Sequence, residues 1–186
     1  RDNIDFIDAR IVKLLGERME QALLARRLKD RIEDGRREAE VRDGIQSRAT
    51  PVLEDPFLQD VFEAIIRESK RIQGETSSLI AFQGAHGAYG EVAAVQWDSA
   101  LIPIPCDGFA QVFDKVEGGL CDYGIVPVEN TLGGVVGEVN NLLIGTELKV
   151  VGSVELRVHH CLLALPGADH RDIRTVYSPP QALSQC

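Results

Sequence analysis

Long apolar runs, aromatic side chains and regularly spaced cysteines are all scarce in this 186-residue chain, and each scarcity closes off a class of protein. No stretch approaches the roughly 20 apolar residues that a membrane-crossing helix needs, so no span is expected. No charged-then-apolar leader precedes the first helical pattern, so no export signal is expected either. The four cysteines (Cys106, Cys121, Cys161 and Cys186) have long, irregular spacings with no Cys-x-x-Cys, which fits a reducing cytoplasm. His159-His160-Cys161 is a compact cluster, but adjacent residues of a strand point to opposite faces, so no metal is expected there. Aromatics make up 5% of the chain, and residues 1–75 hold only Phe6, Phe57 and Phe62. That segment carries 15 Lys+Arg interleaved with 17 Asp+Glu, against 5 and 12 in residues 76–186. No continuous basic stripe survives, so nucleic acid is not an expected partner. Internal repeats and low-complexity tracts are also lacking.

What is present divides into two halves of different period. Ile4, Ile7, Ile11, Leu14 and Leu15 recur at three- and four-residue steps, continued by Ala22 and Ala25, and Gly16 alone interrupts them. A helix from Arg1 to Lys29 would be roughly 42 Å long, more than a globule of 75 residues can cover. A second helix is expected from the Glu33-Asp34-Gly35 turn to Ser47, before Ala49-Thr50-Pro51 breaks it. Asp55-Pro56 announces a third, as N-cap and first helical residue, with the stripe Leu58, Val61, Phe62, Ile65, Ile66, Ser69 and Ile72. Three helices, one overlong, predict an all-α domain that forms an intertwined dimer.

Past the polar linker Gly74-Glu75-Thr76-Ser77-Ser78, short apolar runs alternate with turn signals. Strands are expected at 79–82, 101–104, 124–128, 148–151, 156–165 and 175–177, with helices at 91–97, 109–116 and 135–144. That alternation predicts an α/β domain with a largely parallel sheet.

The informative residues of the first half break the apolar stripes. Arg18 and Lys29 are eleven residues apart, near three full turns, and so share one side of the long helix. Asp34, Arg37 and Glu38 make one patch at i, i+3 and i+4, and Ser69 and Gln73 continue the packed face of the third helix. Each alone is equally a surface group; together they point to a common polar interior, because a Ser and a Gln on a packed face need partners.

On these residues the chain resembles the all-helical chorismate mutases, small domain-swapped homodimers. The resemblance covers Arg1 through Gln73 and rests on Arg1, Arg18, Lys29, Asp34-Gly35-Arg36-Arg37-Glu38 and Ser69-Lys70-Arg71-Ile72-Gln73. It implies that Arg18 and Arg37 clamp the two carboxylates of chorismate, with Arg1 supplied by the partner chain. It further implies that Lys29 and Gln73 donate to the breaking ether oxygen, that Asp34 and Glu38 hold the ring hydroxyl, and that Ser69 assists. The rearrangement to prephenate is one pericyclic step and needs no cofactor.

The second half opens with Ala81-Phe82-Gln83-Gly84-Ala85-His86-Gly87-Ala88-Tyr89-Gly90-Glu91, a strand running into a glycine turn and a helix, where backbone N–H groups can meet an anion. Its glycine spacing is not that of a dinucleotide fingerprint, so no NAD is expected. Gly124-Ile125-Val126-Pro127-Val128-Glu129-Asn130-Thr131 ends a buried strand on polar residues. With Ser178-Pro179-Pro180-Gln181-Ala182-Leu183, these segments resemble the prephenate dehydratases over residues 79–186. The sequence departs from that family at Ala88 and Gly90, where hydroxyl residues are usual, and at Pro179, where His is common.

This second resemblance implies a two-lobed fold like type II periplasmic binding proteins. It places Gly87, Ala88, Asn130, Thr131, Ser178 and Gln181 around a prephenate cleft. The family's Thr-Arg-Phe motif is not among the 186 residues. The α/β domain is therefore expected to be the N-terminal portion only, and the polypeptide by itself to lack dehydratase activity. The expected arrangement is a chorismate mutase domain over 1–75 and a partial prephenate dehydratase domain over 79–186, as a bifunctional enzyme of phenylalanine biosynthesis. Two rivals stand beside it: a non-catalytic helical dimerisation module on an anion-binding α/β lobe, and a dehydratase with a decayed mutase domain.

Overall fold

A computed structural model of the chain describes residues 1–29, 31–159, 161–178 and 183. The chain divides into two compact units, Arg1–Ser78 with the short piece Gly119–Cys121, and Leu79–Gly118 with Asp122–Cys186.

The first unit is three helices: α1 (Asp2–Arg27), α2 (Gly35–Gln46) and α3 (Asp55–Gly74). Asp2 and Asp5 in the first turn of α1, and Arg26 and Arg27 in its last, each oppose the partial charge of their helix end. Helix α3 starts one residue earlier than the Asp55-Pro56 signal implies, with Glu54 as N-cap and Asp55 already helical. Helix α3 packs against both α1 and α2. Its buried residues Leu58 and Ile66 join Leu23, Leu24 and Ile45 as the apolar interior of the unit. The other end of α1 has no such cover. Ile4, Ile7, Ile11 and Leu14 are all at least half exposed, so the stripe that the periodicity reveals is only partly used within one chain.

In the second unit, β1 (Leu79–Gln83) lies between β2 (Ile102–Cys106) and β3 (Tyr123–Ile125), and both neighbours run parallel to it. Helix α4 (Tyr89–Trp97) links β1 to β2, and α5 (Phe109–Glu117) links β2 back across β1 to β3. Parallel crossovers are right-handed, so reversing direction puts the two helices on opposite faces of the sheet. A parallel sheet covered on both faces needs continuous apolar strands, and Leu79, Ile80, Ala81 and Phe82 are all buried. Gly124 is where α5 comes closest: a Cβ there would lie 2.8 Å from Val112 Cγ1 and 3.2 Å from Val116 Cγ2. Gly124→Val is expected to overpack this contact and cost about 1–3 kcal/mol, read as a lower urea midpoint.

Strand β3 stops at Ile125 although the apolar run continues to Val128. A hairpin that the periodicity does not reveal follows, β4 (Glu129–Asn130) with β5 (Gly134–Val135), and then α6 (Gly137–Gly145). Gly134 turns with φ +71°, a backbone that side chains rarely tolerate. Among the described residues the strands expected at 148–151, 156–165 and 175–177 are not formed: no strand follows β5, and a 3-10 turn at His170–Asp172 comes after α6. Strand formation requires a ladder partner, and Val150, Val151, Leu162, Leu163 and Leu165 are exposed instead.

Candidate functional site

The helical unit brings together two parts of the expected polar set. Arg18, on α1, reaches across to α3 and donates from Nη1 to Ser69 Oγ. Ser69 is the buried polar residue of this interface, and its hydroxyl donates in turn to Ile65 O at 2.9 Å, with Met19 Sδ at 3.5 Å. No carboxylate among the described residues pairs with Arg18, and burial alone pushes its guanidinium pKa down. A half-buried cation met by a hydroxyl is left seeking an anion.

The second cluster surrounds Glu38. Its carboxylate is mostly shielded and takes Lys70 Nζ at 2.7 Å and Arg42 Nη2 at 3.7 Å. Arg42 Nε also reaches Glu63 at 2.5 Å, joining α2 to α3 a second time. Gln73 is half-buried one turn beyond Ser69 on the same helix. Arg1 caps α1, accepting Ile4 N and Asp5 N at its carbonyl, and its side chain is exposed.

Two expectations are corrected here. Lys29 does not share a helix face with Arg18, because α1 ends at Arg27. Lys29 sits in the turn beyond it, with Nζ 3.5 Å from Asp34 Oδ2. Arg37 does not join Arg18 either: it lies on the exposed side of α2 and pairs with Glu40 at 3.2 Å. The i, i+3 spacing from Asp34 is spent on the cap instead, since Arg37 N donates to Asp34 Oδ1 at 3.0 Å.

That cap sets a pH dependence. The Arg37 N–H holds the Asp34 carboxyl below the usual carboxylate range; slight burial opposes this, and the nearby Lys29 charge assists. A depressed folded value means the cap contributes fully at neutral pH and is lost as pH falls through it. The stability advantage of wild type over Asp34→Ala is expected to be full above about pH 5 and to shrink progressively as pH falls below about 4, followed by urea denaturation across pH 2–7.

In the α/β unit, the loops that follow β1 and β3 leave neighbouring strands at the C-terminal edge, where the winding reverses. That switch point is where open α/β sheets bind ligands. Gly87 and Ala88 lie in the loop after β1, and Asn130 and Thr131 follow β3, so the two matched segments flank it. Gly84 and Gly87 have φ of +114° and +88°, which only glycine adopts freely. The turn does not offer all its donors to a ligand, however. Glu91, in the first turn of α4, accepts Gly87 N at 2.6 Å and approaches His86 Nδ1 at 2.7 Å. Burial opposes ionisation of Glu91, yet the Gly87 N–H and His86 outweigh it and hold the carboxyl below its ordinary value. The anion at this helix start is therefore the chain's own.

Gly90 departs from the hydroxyl pattern for a packing reason: a Cβ would lie 3.1 Å from both Gln83 O and Phe82 Cδ2. Asn130 Oδ1 is engaged by its own hairpin, accepting Leu132 N at 2.8 Å and Gly133 N at 3.1 Å. Thr131 and Ser178 are exposed, and Gln181 lies outside the described residues. A hollow of about 190 Å³ between α5 and α6, bordered by Asp114, Glu117 and Thr146, includes none of these residues.

Sequence reasoning gave no role to Lys70, Arg42, Glu63 or Glu91. Glu91 had a legible signal, an acid three residues after a helix N-cap. Arg42 had one too, four residues after Glu38 on the same helix, whereas Lys70 lies too far along the chain to have any.

Residues 80–186 match the prephenate dehydratase family profile, and residues 1–74 match chorismate mutase type II. The bifunctional chorismate mutase/prephenate dehydratase of Escherichia coli K12 is 34% identical over 206 residues, covering all of this chain and 53% of the relative. Arogenate dehydratase 1 of Petunia hybrida is 47% identical over 107 residues, 58% of this chain and 25% of the relative. Arogenate dehydratase/prephenate dehydratase 6 of Arabidopsis thaliana is 46% identical over 107 residues, 58% of this chain and 26% of the relative. The chain thus spans about half the bacterial relative's length and about a quarter of the plant relatives'. No solved structure matches. No helix among the described residues is long and apolar enough to cross a membrane. The chain belongs to the family that joins a type II chorismate mutase segment to a prephenate dehydratase segment.

Proposed function

We infer that residues 1–75 are a chorismate mutase domain, working as a homodimer in the cytoplasm, and that residues 79–186 contribute one wall of a dehydratase cleft. The observation that carries the mutase reading is the Arg18 guanidinium, drawn into the α1–α3 interface with no carboxylate among the described residues to neutralise it. Chorismate is a dianion, and a guanidinium fork fits a carboxylate with two parallel hydrogen bonds. Holding the substrate in its reactive conformer and stabilising charge on the breaking ether oxygen are the two tasks of this rearrangement. Arg18 serves the first, with Arg1 of the partner subunit and Arg37 after a change of rotamer. Lys29 and Gln73 serve the second, while Glu38 and Asp34 take the ring hydroxyl and Ser69 holds Arg18 in place. The half-exposed stripe Ile4, Ile7, Ile11 and Leu14 supplies the surface for the second chain.

The α/β unit fits one lobe of the periplasmic-binding type, with Gly87, Ala88, Asn130, Thr131, Ser178 and Gln181 toward prephenate. A second substrate is favoured by the 47% identity to a petunia arogenate dehydratase: the same cleft accepts arogenate. The test is chorismate consumption by the purified chain, with prephenate and phenylpyruvate quantified and arogenate offered in parallel. Prephenate formation by a dimer supports the mutase reading. A well-folded dimer that leaves chorismate untouched sinks it and puts the non-catalytic module ahead.

A further inference from the structure

The α2–α3 interface holds an ion pair that the expected chemistry does not call for. Glu38 is there to accept a substrate hydroxyl, yet its carboxylate already takes Lys70 Nζ at 2.7 Å. The pair is largely shielded, with side-chain exposures of 17% for Glu38 and 36% for Lys70, so solvent screens it less than a surface pair. Lys70 directly follows Ser69, whose hydroxyl receives Arg18, so one turn of α3 touches both polar clusters of the unit.

We propose that Lys70 is a positioning residue for substrate binding, which keeps Glu38 in place and cancels its charge so that a dianion can lie beside it. This rests on the mutase reading. A bare carboxylate next to a dianion repels it, and the low dielectric of a half-buried site strengthens the repulsion. Neutralising the carboxyl by protonation would remove its capacity to accept from a hydroxyl at that oxygen. A lysine removes the net charge and leaves lone pairs free, because an ionised carboxylate has about four acceptor sites and Lys70 occupies one. Arg42, at 3.7 Å, makes no hydrogen bond to Glu38 and shares its charge with Glu63 at 2.5 Å, so it fixes and neutralises Glu38 less than Lys70 does.

The experiment is steady-state chorismate turnover by the whole chain, with thermal melts run on every variant. Lys70→Met is expected to raise KM about tenfold and leave kcat within about twofold, the signature of lost uniform binding. Lys70→Arg keeps the charge and is expected to return KM to within about threefold. In a Glu38→Gln background there is no charge to cancel, so adding Lys70→Met is expected to move KM by less than about twofold. A wild-type KM in Lys70→Met overturns the proposal, as does an undiminished tenfold effect on top of Glu38→Gln. A lowered melting temperature with kcat lost and no rescue by arginine also overturns it, making Lys70 only a staple between α2 and α3. Absence of turnover in wild type overturns the mutase reading itself, whereas turnover with an unmoved Lys70→Met removes this inference alone.

Discussion

Arg18→Ala is expected to lower kcat/KM for chorismate about a thousandfold while barely changing the melting temperature. The activity side follows from charge: truncating one member of a desolvated, hydrogen-bonded charge pair costs about 2–5 kcal/mol, which is roughly a thousandfold in rate at about 4 kcal/mol. The stability side follows from Ser69. Losing the guanidinium does not strand the buried hydroxyl, because Ser69 still donates to Ile65 O at 2.9 Å. The variant also relieves a desolvated cation that no carboxylate among the described residues neutralises. If Arg18 were a structural tie and no more, the order would reverse, with the melting temperature falling and turnover following it. Stopped assays of chorismate loss beside a circular-dichroism melt separate these outcomes. Arg18→Lys sharpens the test: a point charge replaces a fork, so about tenfold or more of the loss should persist.

How much of this was legible in the sequence depended on whether the cause was local. Stripe periodicity located α1, α2 and α3 to within a few residues, because each helix is set by its own spacing and its own breaks. Arg18 and Ser69 were both expected to face a common polar interior, because each interrupts an otherwise apolar face, but their direct contact was not foreseen. Lys29 was misplaced because periodicity counts turns without saying where a helix stops; Leu28 closes α1, and Lys29 turns toward Asp34. The Asp34, Arg37 and Glu38 spacing was read as one patch of side chains, whereas it is the Arg37 backbone N–H that answers Asp34. In the second unit the β1 and β2 regions read correctly, since a buried parallel strand is an unbroken apolar run. The apolar runs at 148–151 and 156–165 look the same in sequence, but whether a run becomes a strand is decided by a neighbour on the sheet. The glycine turn was found by its spacing, and what fills it was not. Glu91 competes for the Gly87 N–H that a ligand would otherwise use, a contest between one side chain and an absent anion that spacing cannot resolve.

Lys29→Ala is expected to drop kcat about 10²–10³-fold, the loss seen when one donor to a developing oxyanion is removed, with the dimer intact by analytical ultracentrifugation. The position of Lys29 argues for a large effect on rate and a small one on fold. It lies beyond the end of α1 and is exposed. Its bond to Asp34 is exposed on both sides, 41% and 43%, so water screens it and it holds little of the structure together. An ammonium on a flexible stem can leave such a partner for a developing charge at little cost, which a tightly buried lysine could not. Asp34 keeps its own task meanwhile, because the cap bond from Arg37 N does not depend on Lys29. The rival, in which the polar set only pairs helices in a non-catalytic module, predicts the reverse for each observable. Under that reading chorismate is not consumed at all, and the variant differs from wild type only in a small shift of stability. A wild-type rate that Lys29→Ala leaves untouched would remove Lys29 from the chemistry while leaving the rest of the site standing. A rate lost together with the dimer would instead assign the turn after α1 to assembly.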